Sequence, residues 1–202
     1  MAGRTVITKN ALINSTLTLV KYSEKYFLPT SETPHLPSLI RMAYRRLFRL
    51  KPFISNRKMV RTTYEEYLRY KFRNEDYETK RAIVVGDIPK APLQEEIRNS
   101  VMFVVKAVSH LPETKESKFA IARDNTTCRQ ILKNILTMEY EKQSLMAKYQ
   151  PPTKRKDTVA PYHIFRKEFI HMRQLNKSAQ YRVVGEFDIC TIYLNEMLRT
   201  RL

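Results

Sequence analysis

Apolar side chains recur at helical spacing through most of the chain beyond residue 37. In SLIRMAYRRLFRL, Leu39, Ala43 and Leu47 share one face, with Ile40, Tyr44 and Phe48 beside them. That i, i+4 pattern is a buried helical stripe. Ser38 follows Pro37 as an N-cap and Pro52 bars continuation, so the spacing predicts a helix over 38–51. A second stripe, Val60, Tyr64, Tyr67, Leu68 and Phe72, predicts a helix over 55–81 with aromatics where aliphatics are usual. Ile97, Val101, Val104, Val105 and Val108 predict a third over 92–110, punctuated by Pro89 and Pro112. Cys128, Ile131, Leu132, Ile135 and Leu136 predict a fourth over 124–149, capped by Asp124 or Asn125 or fused to the preceding ESKFAIAR.

Outside these stripes the pattern weakens. Pro29, Pro34 and Pro37 bracket a hydroxyl-rich stretch that cannot hold a long helix, although an extended piece near Leu17–Tyr22 can pack on the domain. TKRKDT reads as a basic linker, PYHIFRKEFIHMRQL as another helix, and QYRVVGEFD has a strand-like flavour. The tail ICTIYLNEMLRTRL returns to helical spacing. The expected fold is mainly α: a bundle of about four to six helices with an irregular N-terminal arm. Its parts are the arm over 1–37, the bundle core over 38–150, the linker over 151–160, and a C-terminal helical segment over 161–202 that packs on the bundle. Tyr44, Phe48, Tyr64, Leu68, Phe72, Ile131 and Ile135 are expected in one core.

Composition supports this picture. The 202 residues are 43% hydrophobic with only 3 glycines, which disfavours tight hairpins and phosphate-cradling loops. No apolar run approaches the roughly 20 residues that span a bilayer. The first acid is Glu24, after Arg4, Lys9 and Lys21 among many hydroxyls. Such an acid-poor start has the flavour of a mitochondrial presequence.

Charge changes the functional picture most. A formal net charge of +17 attracts polyanions: nucleic acid, anionic lipid or an acidic protein. Between residues 41 and 73 stand Arg41, Arg45, Arg46, Arg49, Lys51, Arg57, Lys58, Arg61, Arg69, Lys71 and Arg73, against only Glu65 and Glu66. Arg41, Arg45 and Arg49 form a rail at i, i+4 and i+8. Like charges at this spacing cost about 0.2–0.5 kcal/mol per pair, and a cost so often repeated suggests an anionic partner. A short turn at Pro52 would make the first two helices antiparallel neighbours and merge their charges into one patch. The candidate partner- or polyanion-binding residues are Arg41, Tyr44, Arg45, Arg46, Arg49, Lys51, Arg57, Lys58 and Arg61, with Tyr64, Tyr67 and Tyr70 available to stack bases, although at helical spacing Tyr64 and Tyr67 read more simply as core residues with their hydroxyls at the edge.

Catalytic and metal chemistry find no foothold. GxGxxG, Walker, HExxH and GxSxG patterns and a DxD-like acidic cluster are all missing. The pairs Glu65-Glu66 and Glu95-Glu96 split across helix faces and read as solvated surface. Cys128 and Cys190 lack CxxC spacing, and His35, His110, His163 and His171 lack ligand spacing. The expectation is a non-enzymatic protein with no cofactor and no metal.

Two family resemblances sharpen that expectation. Ala43-Tyr44-Arg45, followed by Arg46, Arg49 and Lys51 and then by Phe72, resembles the LYR-motif family of small mitochondrial proteins, with Ala43 where that pattern has leucine. This resemblance implies docking of acyl carrier protein, with the acyl chain between helices and basic residues facing the carrier's acidic helix and phosphopantetheine. RRLFRLKPFISNRKMV, TYEEYLRYKF, LPETK, IARDNTTCRQILKNILTMEYEK and IYLNEMLRTRL resemble the fungal increased recombination centers protein 19 family over a much longer span. That resemblance implies roles in sporulation, mitochondrial DNA maintenance and genome integrity, with no catalytic residue to transfer. Mitochondrial localisation is expected. An adaptor binding a protein partner ranks ahead of a direct DNA or RNA binder, and an enzyme ranks last.

Overall fold

The computed structural model describes residues 5–15, 17–29, 35–110, 121–148, 166 and 179–202. Among these the fold is mainly α: α1 (Leu36–Ile54), α2 (Lys58–Arg73), α3 (Tyr77–Val85), α4 (Leu93–Val108), α5 (Ile121–Lys148) and α6 (Ala179–Leu198). Packing runs in a closed circuit, α1 on α2, α2 on α5, α5 on α4 and α4 on α1, which is a four-helix core. The α3 and α6 helices pack together at its side, and α6 also touches α5. Leu39, Ala43, Leu47 and Leu50 from α1 meet Tyr64 and Leu68 from α2, Val101, Val104 and Val105 from α4, and Leu132 and Ile135 from α5 in one cluster.

α1 and α2 are antiparallel. The Tyr64 hydroxyl donates to Leu47 O at 3.0 Å, and the ring of Tyr44 meets that of Phe72 edge-on at 5.3 Å. The core assignment holds for Tyr64, Leu68 and Ile135, which are buried. Tyr44, Phe72 and Ile131 are half-buried against that cluster. Phe48 is corrected: it is 38% exposed and stacks on Tyr44 at 5.9 Å. It lies one residue beyond the buried stripe, on the outer side of the helix.

Several boundaries also differ. α1 starts at Leu36, so Pro37 lies in the first turn, where its missing N–H costs nothing, and Ser38 is not the cap. Pro52 does not stop the helix, which runs to Ile54. Pro52 is exposed in the last turn, while Leu50 and Ile54 on either side are buried and hold the backbone helical. The span expected as one helix over 55–81 breaks at Asn74–Asp76. Asp76 caps α3, its carboxylate accepting from the Thr79 N–H at 3.2 Å and the Thr79 hydroxyl at 2.6 Å. The break turns Glu75 inward. QYRVVGEFD is helix, not strand: Val184 and Ile192 are buried on α6, and that burial outweighs β-branched propensity and one glycine.

The N-terminal arm contains regular structure. β1 (Val6–Ile7), β2 (Ala11–Ile13) and β3 (Thr18–Val20) form an antiparallel meander. Its second turn is set by Asn14, whose side chain accepts from the Leu17 N–H at 2.8 Å. Val20 is fully buried, and its carbonyl accepts from His110 N–H at 2.8 Å, tying the arm to the end of α4. A 3₁₀ turn over Glu24–Tyr26 places the Tyr26 ring 6.3 Å from Phe53. The expected linker over 151–160, the helix over PYHIFRKEFIHMRQL apart from Arg166, and residues 1–4 of the presequence-like start lie outside the described residues.

Candidate functional site

The rail on α1 points away from the core. Arg41, Arg45 and Arg49 are exposed opposite the buried stripe of Leu39, Ala43, Leu47 and Leu50. Arg41 donates from Nε to Pro37 O at 3.3 Å, while Arg45 and Arg49 form no side-chain hydrogen bond or ion pair among the described residues. Arg57 and Lys58 are exposed beyond the end of α1, and Arg61 is half-buried one turn further on. The other candidates are drawn aside. Arg46 donates to Lys25 O at 2.7 Å and fastens the arm. Lys51 turns to α2 and pairs with Glu65, which Arg69 also reaches, so Glu65 is a bridge between helices and not solvated surface. These two cations, led by the Lys51 hydrogen bond, hold the Glu65 carboxyl below the usual carboxylate range.

Beneath the rail lies an apolar cavity of about 200 Å³. Ala43, Leu47, Leu68, Phe72, Val101 and Val104 are among the side chains that line it, and Lys71, Glu75 and Arg201 are its charged lining. Two of the positions matched to the LYR-type pattern, Ala43 and Phe72, therefore face one apolar space. The other aromatic of that group, Tyr44, is wedged between Phe48 and Phe72.

The tyrosines proposed as stacking surfaces are not free to serve as such. Tyr64 and Tyr70 are buried, and Tyr67 is half-buried against the core. Tyr70 belongs to an ionic cluster that no sequence pattern announced. The Arg166 guanidinium lies 4.1 Å from its ring centroid and pairs with buried Glu139. Lys80 donates to the Tyr70 hydroxyl, and Glu75 pairs with Lys71 at 2.5 Å and Lys80 at 3.3 Å. Lys142 meets Asp188 at 2.6 Å. Burial pushes the Glu75 carboxyl up, but Lys71 and Lys80 overcome it and hold the group below its ordinary value. Burial pulls the Lys80 ammonium down to about 8 despite Glu75. The cluster joins α2, α3, α5 and α6. Its only trace in the sequence is the Lys71–Glu75 pair at i, i+4, which on a continuous helix reads as an ordinary surface pair.

Glu96 is likewise corrected from solvated surface: it is 3% exposed and accepts from Arg201 at 2.5 Å. Among the described residues no group of three His, Cys, Asp or Glu side chains is placed to hold a metal ion, and no helix is long and apolar enough to cross a membrane. Cys128 is buried and Cys190 exposed, and both thiols are free.

A family model described as increased recombination centres protein 19 matches residues 6–202. The chain belongs to that family. Relatives called increased recombination centers protein 19 bear this out. The one from Zygosaccharomyces rouxii is 76% identical over 202 residues, covering all of both chains. That from Vanderwaltozyma polyspora is 41% identical, covering 98% of this chain and 96% of its own, and that from Saccharomyces cerevisiae is 39% identical, covering 98% and 97%. No solved structure matches the chain. The family matched spans the arm, the rail, the cavity and the buried cluster alike.

Proposed function

We propose that this protein is a non-enzymatic, basic helical adaptor in mitochondria, and that its part in mitochondrial DNA maintenance, genome integrity and sporulation follows from binding a protein partner. The relatives' name, with its reference to recombination, supports a genome-maintenance role. Acyl carrier protein is the partner favoured.

One observation carries this reading: Ala43 and Phe72 line an apolar cavity of about 200 Å³, while Arg45 and Arg49, on the outer side of α1, form no side-chain hydrogen bond or ion pair among the described residues. A cavity of this kind suits an acyl chain, which gains about 0.8 kcal/mol per methylene buried. Exposed arginines on the other side of α1 suit the phosphate and carboxylates of a carrier, which they bind bidentately. Arg41, Arg57, Lys58 and Arg61 extend the cationic surface for an acidic helix.

Direct binding of DNA or RNA is the second reading, favoured by the exposed rail Arg41–Arg45–Arg49. It is weakened by the burial of Tyr64 and Tyr70, which removes the stacking partners single strands require.

A gel-shift and an acyl carrier protein titration on the same Arg45→Ala/Arg49→Ala variant, each at two salt concentrations, separate these readings. The adaptor loses carrier binding and leaves weak DNA binding unchanged. A duplex binder shows log affinity falling with log salt by about 0.9 per phosphate contact, and the variant flattens that slope by roughly one unit per lost contact. Normal behaviour in both assays would reduce the rail to a solvated face.

A further inference from the structure

Away from the cavity and the ionic cluster, a groove of about 670 Å³ runs between the start of α2, the end of α4 and the middle of α5. Its walls are largely apolar, with Ile54, Val60, Val108, Leu132 and Leu136 along them. Two large apolar side chains stand at its lips: Met59 is 51% and Tyr140 42% exposed. Its charged lining is one-sided. Among the described residues, Arg57, Arg129 and Lys133 border it against the single carboxylate of Glu141. Arg129 is committed to the fold, donating to Ala107 O at 3.0 Å and Ser109 O at 3.4 Å. Arg57 and Lys133 are exposed, with no side-chain ion pair among the described residues.

We infer that this groove docks an amphipathic helix of a protein partner whose apolar stripe is flanked by carboxylates. An exposed apolar trough marks an interaction site more often than plain surface. A groove between two helices accepts a third helix through anchors at i, i+3, i+4 and i+7. The cations at its border select acidic flanks and disfavour basic ones. The chain's own segment 161–175 fails that selection, since Arg166, Lys167 and Arg173 face only Glu168 in its sequence. Its Arg166 is moreover held away from the groove, against Tyr70 and Glu139. Nucleic acid fits less well, because an apolar trough offers phosphates little. The inference shares Arg57 with the carrier-protein reading but otherwise stands apart from it, since that reading turns on Arg45 and Arg49 of α1 and the cavity lined by Ala43 and Phe72.

The test is fluorescence anisotropy of the full-length protein with a labelled synthetic helix of about five turns, bearing leucines at i, i+3, i+4 and i+7 and glutamates beside them. The expected result is saturable binding that weakens about tenfold or more with Met59→Glu, and also with Lys133→Glu, while Arg45→Ala/Arg49→Ala leaves it unchanged. Both groove positions are exposed, so circular dichroism of the variants should match the parent. A peptide with the same residues scrambled around the helix, and one with lysines for glutamates, should bind at least about tenfold more weakly. The proposal is overturned if the acidic helix does not bind, or if binding ignores both groove substitutions. It is equally overturned if the lysine peptide or a peptide of residues 161–175 binds as well, or if duplex DNA displaces the acidic helix.

Discussion

Arg201 reaches back from the end of α6 to Glu96 in the first turn of α4, its Nε donating to the carboxylate at 2.5 Å. The same guanidinium lies 4.8 Å from the Tyr77 ring centroid, and the Arg201 N–H donates to Ser100 Oγ at 2.7 Å. Beside it, Asn195 is 1% exposed and binds Leu202 through both ends of its carboxamide. The C-terminal residues thus close one end of the bundle. Glu96→Ala removes the buried carboxylate from the Arg201 guanidinium and leaves it only the exposed Glu78, and should cost about 1–3 kcal/mol in urea unfolding. Arg201→Ala should cost a similar amount, and the double variant less than their sum. Strict additivity would show that the two residues are not coupled.

The packing of α1 on α2 makes a graded prediction. Leu50 is fully buried, so Leu50→Ala should cost about 2–5 kcal/mol. Tyr64→Phe removes one buried hydrogen bond and should cost about 1 kcal/mol. Phe48→Ala, on the exposed side, should cost less than about 1 kcal/mol. Chemical denaturation of the three variants checks the order, and a Phe48 effect equal to that of Leu50 would contradict it.

Lys80 gives a pH signature. Its ammonium releases its proton near pH 8 in the folded protein and near 10.5 in the unfolded chain, so between these values the unfolded state binds more protons. Stability contributed by this group therefore rises with pH across that window. Burial raises the hydroxyls of Tyr64, Tyr67, Tyr70 and Tyr77, which works in the opposite direction as unfolded tyrosines ionise near pH 10. Subtracting the curve of Lys80→Met from that of the parent isolates the lysine. The difference should move in the parent's favour between about pH 7.5 and 9.5. Glu75, with its lowered carboxyl, should stabilise at neutral pH and lose that contribution as pH falls below the ordinary carboxylate range.

The cavity separates stability from binding. Ala43→Leu projects additional apolar atoms into the space lined by Phe72 and Val104. It should raise the melting temperature or leave it unchanged, because buried apolar volume is gained without removing a polar partner. On the adaptor reading it should also weaken acylated carrier protein more than the unacylated form. Equal effects on both forms would show that the acyl chain does not enter there.

The helices of the core were legible because their stripes are long and regular: Leu39 through Leu50, Ile97 through Val108, and Cys128 through Leu136 each keep one face apolar. The break between α2 and α3 was not, because Tyr77 resumes the apolar pattern soon after Phe72 and conceals the Asp76 cap. α6 was half legible, since Val183-Val184-Gly185 mimics a strand until Ile192 and Asn195 are seen to share its buried side. The rail Arg41–Arg45–Arg49 was readable from spacing alone. The diversion of Arg46 to the arm and of Lys51 to Glu65 was not, since both partners come from elsewhere in the fold. The groove beside Met59 escaped because its two lips, α2 and α5, are brought together only by tertiary packing.

The adaptor account is tested most directly by native mass spectrometry of the tagged protein isolated at low salt from mitochondria of its own cells. The account predicts a one-to-one complex with acyl carrier protein, carrying the mass of an attached acyl chain, that is lost from the Arg45→Ala/Arg49→Ala variant. Recovery of the protein bare, or bound only to nuclease-sensitive nucleic acid, would contradict it.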